Sequence, residues 1–591
     1  MFHEFNLNLL KEKEILLSLD VHFARFMVKL SENNDPLFAW SAALVSNWTA
    51  RGHICVDLPQ LANKPLPIDI ETPICPSLDR WKSALQGVVI GKEGDFAPLI
   101  LDQKNRLYLY RYWEYQHKLA QALQYRLREP IKINFPHDLK KQLESLFPPH
   151  QLEHPDWQKI AALVAILKSF CVIAGGPGTG KTSTVVKILA LLQMQSEKEL
   201  QIALVAPTGK AAMRLRQSII AAKKRLANVQ NVPEETSTIH RFLRPLNDSP
   251  YFYFNESRKI PVDVVVVDEA SMVDLALMSK LVQALPLSSR LILLGDKDQL
   301  ASVEAGAVLG DVCENAQRGF SADFQQQLSY FINEIKELQT LNNASPLQDA
   351  VVLLKHSYRF DSKNKIGRLA QAVNNGDADQ AIEILRETGD EVIWLENSEE
   401  WKKYAKQGYE SYLQPIDNPQ QILDEFQRFR VLCAHRQGQW GVAYLNRQIE
   451  ELLGFSKQNQ HYAHRPVMIT QNSYGLRLFN GDIGILLYEN KRLFAFFENT
   501  DGGYRQLPSA RLPVHETAFA MTIHKSQGSE FERVLLLLPD QASPILTREL
   551  LYTGITRTKQ RLILVGNEQI IRSAISTQIQ RSSGLHDALL V

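Results

Sequence analysis

The chain has 591 residues, of which 45% are hydrophobic and 22% charged, with a formal net charge of +1. That composition is typical of a soluble globular protein with material for three or four domains. The near-zero balance excludes a global basic field, so any polyanion must be held in local clefts.

The five cysteines, Cys55, Cys75, Cys171, Cys313 and Cys433, lie far apart and match no zinc or redox spacing, which suits a reducing cytoplasm. No basic stretch leads into an apolar core at the N-terminus, and no apolar run reaches the roughly 18 residues of a membrane span.

In chain order, Ile15–Leu30 has helical apolar spacing, and Phe38–Asn47 reads as a second helix. Leu99–Tyr110 reads as strands around a turn at Asp102–Asn105. Residues 1–115 are therefore expected to form a separate, mainly helical N-terminal domain. A helical connector over 116–150 leads into a block of strands alternating with helices, and 116–350 is taken as one domain. Its strand candidates are Phe170–Ala174, Ile202–Ala206, Val262–Val267 and Leu291–Leu294, a pattern that predicts a parallel sheet covered on both faces. Ser321–Gln348 is polar and reads as a hinge region. A second alternating domain spans 351–591, with strands at Val431–Ala434, Ala518–Thr522, Val534–Leu538 and Leu562–Val565. Short strands and turns crowd 464–512, including Pro466–Thr470, Asp482–Leu487, Leu493–Phe497 and a turn at Gly502-Gly503, and predict an inserted small β-barrel. The fold class is thus α/β.

The segment Gly175-Gly-Pro-Gly-Thr-Gly-Lys-Thr182 follows a short apolar strand and opens a helix. Glycines at 175, 176, 178 and 180 let the backbone curl so that its N–H groups converge on phosphate oxygens. With Thr179 they form a nucleotide phosphate loop, in which Lys181 reaches the β- and γ-phosphates and the Thr182 hydroxyl ligates Mg²⁺. The run Val262–Val267 ends in Asp268 and Glu269. Two carboxylates at the end of a buried strand call for a cation, so Asp268 is read as holding Mg²⁺ and Glu269 as deprotonating the attacking water. Leu291–Leu294 runs into Gly295-Asp-Lys-Asp-Gln-Leu300, where Gln299 can sense the γ-phosphate. Phosphoryl transfer needs added positive charge, and Arg359 and Arg557 both lie in the second domain, from which they would close on the nucleotide. These residues predict an ATPase.

The ordered series Gly175–Thr182, Ala206–Ala212, Asp268–Ser271, Gly295–Leu300, Ser357–Phe360, Thr522–Glu530 and Tyr552–Arg557 resembles superfamily 1 helicases. Within them it is similar to the RecD-type subunits of exodeoxyribonuclease V (the RecBCD complex), a likeness supported by Ser237–Arg241, Asp298–Asp311, Phe479–Gly484 and Arg581–Leu585. The resemblance implies two RecA-like motor domains, ATP with Mg²⁺, and DNA as substrate. It implies that Gln158 reads adenine and that Arg359 and Arg557 are arginine fingers. It puts Pro207, Thr208, Thr238 and His240 against single-stranded DNA on the first motor domain. It puts Thr522, His524, Lys525 and Gln527 in the element joining DNA to nucleotide on the second. It further implies 5′→3′ movement, duplex-end DNA, and RecB-like and RecC-like partners in a heterotrimer, with nuclease chemistry in a partner and residues 1–115 as the docking module. A stand-alone helicase and a structural subunit with a regulatory ATP site are the competing readings. Finally, Leu243–Pro261 carries Tyr251-Phe-Tyr-Phe254 between turn formers and suits a short hairpin, whose aromatics either pack alternately onto the motor domain or serve at the tip as a strand-separating pin.

Overall fold

The computed structural model describes residues 6–590, apart from 68–73, 130, 132, 149–154, 227–228, 230, 248, 315–318, 333–339, 342–344, 360–363, 397–398, 417, 456–460, 474 and 500–502. Parts of the predicted hinge, the Gly502 side of the predicted turn and Phe360 lie outside the described residues.

The N-terminal region carries helices Ser18–Ser31 and Pro36–Ala50 beside a four-stranded sheet in the order Cys55–Asp57, Arg106–Leu109, Leu99–Leu101, Ile90–Gly91. Pro36 at the start of the second helix and Asp35, which accepts from Leu37 N–H, fix where that helix begins. Trp40 and Trp81, both fully buried, anchor a core local to this region. The boundary expected at 115 falls inside the helix Tyr110–Arg128. Moreover, Ile54, Ile100 and Tyr108 share one hydrophobic cluster with Val265 and Leu281 of the first motor block. The region is therefore packed onto that block as well as around its own core.

Six parallel strands form the first large sheet, in the order Val351–Leu354, Phe170–Gly175, Arg290–Gly295, Val264–Val267, Ile202–Ala206, Thr236–Thr238. Near-continuous Val, Ile and Leu runs are what a sheet buried on both faces requires. The sequence does not predict the two outermost strands there. Val351–Leu354 pairs with the strand that leads into the phosphate loop, so the chain leaves the first sheet only after 354, not at 351. The second sheet is also parallel, in the order Val392–Leu395, Thr558–Val565, Phe531–Leu537, Phe429–Cys433, Ala520–Thr522.

The insertion is a five-stranded antiparallel sheet in the order Tyr504–Pro508, Arg492–Glu498, Ile483–Glu489, Arg465–Ile469, His515–Thr517. Among the described residues its two outer strands do not pair with each other, so the ladder is open where a closed barrel was expected. His515–Thr517 also carries the insertion slightly past 512.

After the last strand and the helix Glu568–Ser576 the chain returns to the first motor block and the N-terminal region. Arg581 donates to the carbonyls of Ser302 at 2.6 Å, Glu304 at 3.1 Å and Gly306 at 3.0 Å. Ile54 N–H donates to Ser582 O at 2.8 Å, and Gly584 N–H to Gln116 Oε1 at 2.9 Å. A side chain at Gly584 would displace the Tyr108 hydroxyl and the Arg106 guanidinium, which glycine lets approach. Leu585 and Leu589 then bury in the cluster shared by the N-terminal region and the first sheet. The string Arg581–Leu585 thus ties three regions together.

Candidate functional site

All carboxyl ends of the first sheet face one side because all its strands are parallel. Gly175 ends one central strand and Asp268 and Asp296 follow its neighbours, while Pro207 follows and Thr238 ends the two strands on one flank. The site and the proposed DNA contacts therefore share an edge.

Gly178 and Gly180 have φ of +78° and +81°, the left-handed region that glycine adopts freely. At Gly178 space demands glycine too, whereas at Gly180 a larger residue would only push the end of a side chain aside. A Cβ at Gly178 would strike Arg359, and one at Gly180 would strike the Gln158 amide. Lys181 opens the following helix and donates to the Gly175 and Gly176 carbonyls, the latter at 3.0 Å. Gln158 Nε2 donates to Thr179 O at 3.0 Å, which puts the predicted adenine reader against the loop. Beside it a cleft is lined by Trp157, Gln158, Thr179, His356 and Tyr358. Sequence reasoning gives Trp157 and His356 no role and reaches Tyr358 only as part of the string Ser357–Phe360, since an aromatic at the surface carries no local signal.

Glu269 has a φ of +51°, rare for a residue with a side chain. Its N–H donates to Asp268 Oδ1 at 2.9 Å. Burial first, then the adjacent Glu269, raise the Asp268 pKa, while Lys181 and Arg214 oppose them. This carboxylate is short of positive charge. With the Thr182 hydroxyl in the first turn of the loop's helix, it is a donor set that suits a hard divalent cation.

The predicted arginines converge on the site. Tyr358 N–H donates to Gly178 O at 2.9 Å and Ser357 Oγ to Pro177 O at 3.0 Å, so the segment carrying Arg359 lies on the phosphate loop. The Arg359 guanidinium pairs with Glu530 at 2.8 Å. Glu530 also holds Arg214 at 2.5 Å and Lys559 at 3.6 Å. Burial pushes the Glu530 carboxyl up, but Arg214 and Arg359 outweigh it and hold it well below the usual range. Arg557 is buried and donates to the carbonyls of Thr553 at 3.1 Å and Ser529 at 3.2 Å. Burial lowers its pKa, and the charges of Glu269 and Glu530 oppose that.

The predicted DNA residues divide. Thr208 Oγ1 accepts from Ala211 N–H and Thr238 Oγ1 from Arg241 N–H, each at 3.2 Å, so both hydroxyls cap helices. Thr522 Oγ1 accepts from Lys525 N–H at 3.2 Å. Lys525 Nζ reaches Asn480 Oδ1 of the insertion at 2.7 Å. His240 stacks edge-on against Phe252 with ring centroids 5.7 Å apart, and burial lowers its pKa, as it does that of His524. Gln527 is buried and donates to Leu300 O at 2.9 Å, so in this conformation it joins the two motor blocks. Lys210, unassigned from the sequence, is pushed down to about 7 by burial and by Arg430 and Arg214.

A family model described as the N-terminal domain of RecBCD enzyme subunit RecD matches residues 12–108. Models of an AAA domain and of a UvrD-like helicase C-terminal domain match 158–305 and 517–565. The RecBCD enzyme subunit RecD of Haemophilus influenzae is 34% identical, the alignment covering 98% of either chain. The chain belongs to the RecD family. A RecD of Mycolicibacterium smegmatis is likewise 34% identical over 98% of both chains. The ATP-dependent RecD2 DNA helicase of Deinococcus radiodurans is 29% identical over 69% of this chain but 48% of its own length. The RecD likeness therefore runs end to end, while the RecD2 likeness stops at part of the longer protein.

Proposed function

We propose that this RecD-family chain is the ATP-driven DNA helicase subunit of a RecBCD-like helicase–nuclease that processes duplex ends in double-strand break repair. What supports this reading is that the segment bearing Arg359 bonds to the phosphate loop that Lys181 closes, while Arg557 of the second motor block feels the charges of Glu269 and Asp296 beside it. ATP would sit with adenine near Gln158 and phosphates in the Gly175–Thr182 loop. Thr182 and Asp268 would hold Mg²⁺, which screens phosphate charge when bound. Glu269 accepts the proton of the attacking water, and Arg359 and Arg557 neutralise charge on the transferred phosphoryl group. Closure of the two blocks around ATP, and opening after hydrolysis, would alternate the grip on a strand crossing Pro207, Thr208, Thr238 and His240 on one side and Thr522, His524 and Lys525 on the other. The same reading gives 5′→3′ movement, RecB-like and RecC-like partners, and a cytoplasmic location. Among the described residues no helix is long and apolar enough to cross a membrane.

Strand separation is assigned to the aromatic hairpin. Leu246 N–H donates to Tyr251 O at 3.1 Å and Tyr253 N–H to Arg244 O at 2.8 Å, which pairs its two arms. Phe252 and Phe254 pack on the core, whereas Tyr251 is 69% and Tyr253 40% exposed. The alternation leaves Tyr251 exposed for stacking on a base, worth roughly 1–3 kcal/mol, while the Arg258 guanidinium lies over the Tyr253 ring at 4.2 Å and would have to give way to a base there. Replacing both with alanine should cripple unwinding of a duplex with a 5′ tail while single-strand-stimulated ATP hydrolysis stays near normal. Unwinding only from a 3′ tail would overturn the direction, and equal loss of both activities would overturn the hairpin role.

A further inference from the structure

Asp296 stands just beyond the strand Arg290–Gly295 and is 2% exposed. Three donors meet its carboxylate. Oδ1 accepts the Asp298 N–H at 3.1 Å, and Oδ2 accepts Gln299 Nε2 at 2.9 Å and the Tyr552 hydroxyl at 3.1 Å. Burial favours the neutral acid and the Lys181 charge opposes it. The Asp298 N–H and the Gln299 NH₂ can only donate, so each of the two oxygens accepts at least one bond, and the Tyr552 hydroxyl completes the set. The Gln299 amide is thereby oriented with its nitrogen on the carboxylate and its oxygen turned away from it.

The residue after Gln299 is clamped from the second motor block. Leu300 N–H donates to Thr553 Oγ1 at 3.0 Å, and Leu300 O accepts from Gln527 Nε2 at 2.9 Å. Tyr552 and Thr553 lie on the helix Arg548–Thr556, which ends at Arg557. One rigid element therefore carries an arginine finger and the anchors of the phosphate sensor. Any rotation that moves Arg557 also moves the hydroxyl on Asp296.

We propose that Asp296 is a positioning residue for ATP hydrolysis: it fixes the Gln299 amide and, through Tyr552, makes that orientation depend on where the second motor block stands. The proposal rests on the reading of this chain as an ATP-driven motor and adds how the same site is regulated.

The test is steady-state ATP hydrolysis at saturating single-stranded DNA by wild type, Asp296→Asn, Tyr552→Phe and the double variant. The Asp296→Asn substitution puts a donor where one of the three N–H or O–H groups needs an acceptor, and Tyr552→Phe removes one hydroxyl alone. Asp296→Asn should lower kcat about tenfold or more and Tyr552→Phe about threefold or more, with KM for ATP nearly constant. The double variant should be no slower than Asp296→Asn, because both substitutions break one path. Additive losses, a raised KM with unchanged kcat, or losses that follow a lowered Tm would overturn the proposal. If Asp296→Asn does not fold, Tyr552→Phe decides alone, and an unchanged kcat overturns the proposal. A wild-type chain without ATP hydrolysis would instead sink the motor reading itself.

Discussion

Lys181→Gln is expected to reduce ATP hydrolysis on the order of 10²–10³-fold while leaving single-stranded DNA binding intact. The lysine begins the helix after the phosphate loop, and its ammonium donates to two loop carbonyls, Gly175 O and Gly176 O. Those contacts hold a cation where the β- and γ-phosphates would lie. Glutamine keeps much of the length and loses the charge, so the loop can fold without its means of drawing charge off the phosphates. The candidate DNA residues Pro207, Thr208, Thr238 and His240 lie at the ends of other strands or just beyond them. Single-turnover hydrolysis and fluorescence-anisotropy DNA binding on the same preparation check the split. Parallel loss of both in a folded variant would mean that Lys181 supports the whole edge rather than the phosphates.

Arg359→Ala should lower kcat by on the order of 10³-fold, with a much smaller rise in KM for ATP, as for an arginine that neutralises charge developing in the transition state. Arg359 follows the segment that bonds to Gly178 O and Pro177 O, and its guanidinium sits on Glu530 at 2.8 Å. Arg214 shares that carboxylate, so Glu530 retains a partner when Arg359 is removed. For this reason the substitution should spare folding more than a buried ion pair usually does when one partner is lost. Thermal unfolding beside steady-state kinetics checks this. A Tm drop that tracks the loss of activity would make the arginine structural.

Much of this arrangement is legible because buried parallel strands leave continuous apolar runs. Phe170–Ala174, Ile202–Ala206, Leu291–Leu294 and Leu562–Val565 all lie within observed strands. Val351–Leu354 is the same kind of run, yet its sheet cannot be read from it. Its pairing with Phe170–Gly175 spans nearly the whole first motor block, and no local pattern encodes so distant a partner. Thr236–Thr238 is three residues long and half-buried, too short to show a period. The insertion's strands are readable, but whether a ladder closes depends on edges far from one another in the sheet, and the edges Tyr504–Pro508 and His515–Thr517 stay apart.

The site shows the same division. The phosphate loop, Asp268, Glu269 and Gln299 stand at fixed places after strands, which is a local signal. Glu530 and Tyr552 belong to recognisable strings, but their contacts with Arg214 and Asp296 arise only when two blocks meet. The resemblance places Gln527 in the element joining DNA to nucleotide, and its amide spans the two motor blocks to Leu300, a contact no local string encodes. Thr208 and Thr238 cap helices, a role that threonine before a helix readily takes.

The measurement that bears most directly on the central claim is ATP hydrolysis by the purified chain with and without single-stranded DNA. The account predicts slow hydrolysis alone and stimulation of about tenfold or more by DNA, because strand binding across both blocks favours the closed site that brings Arg359, Arg557 and Gln299 onto the nucleotide. Hydrolysis that is equally fast without DNA, or tight ATP binding with no turnover in either condition, would contradict it.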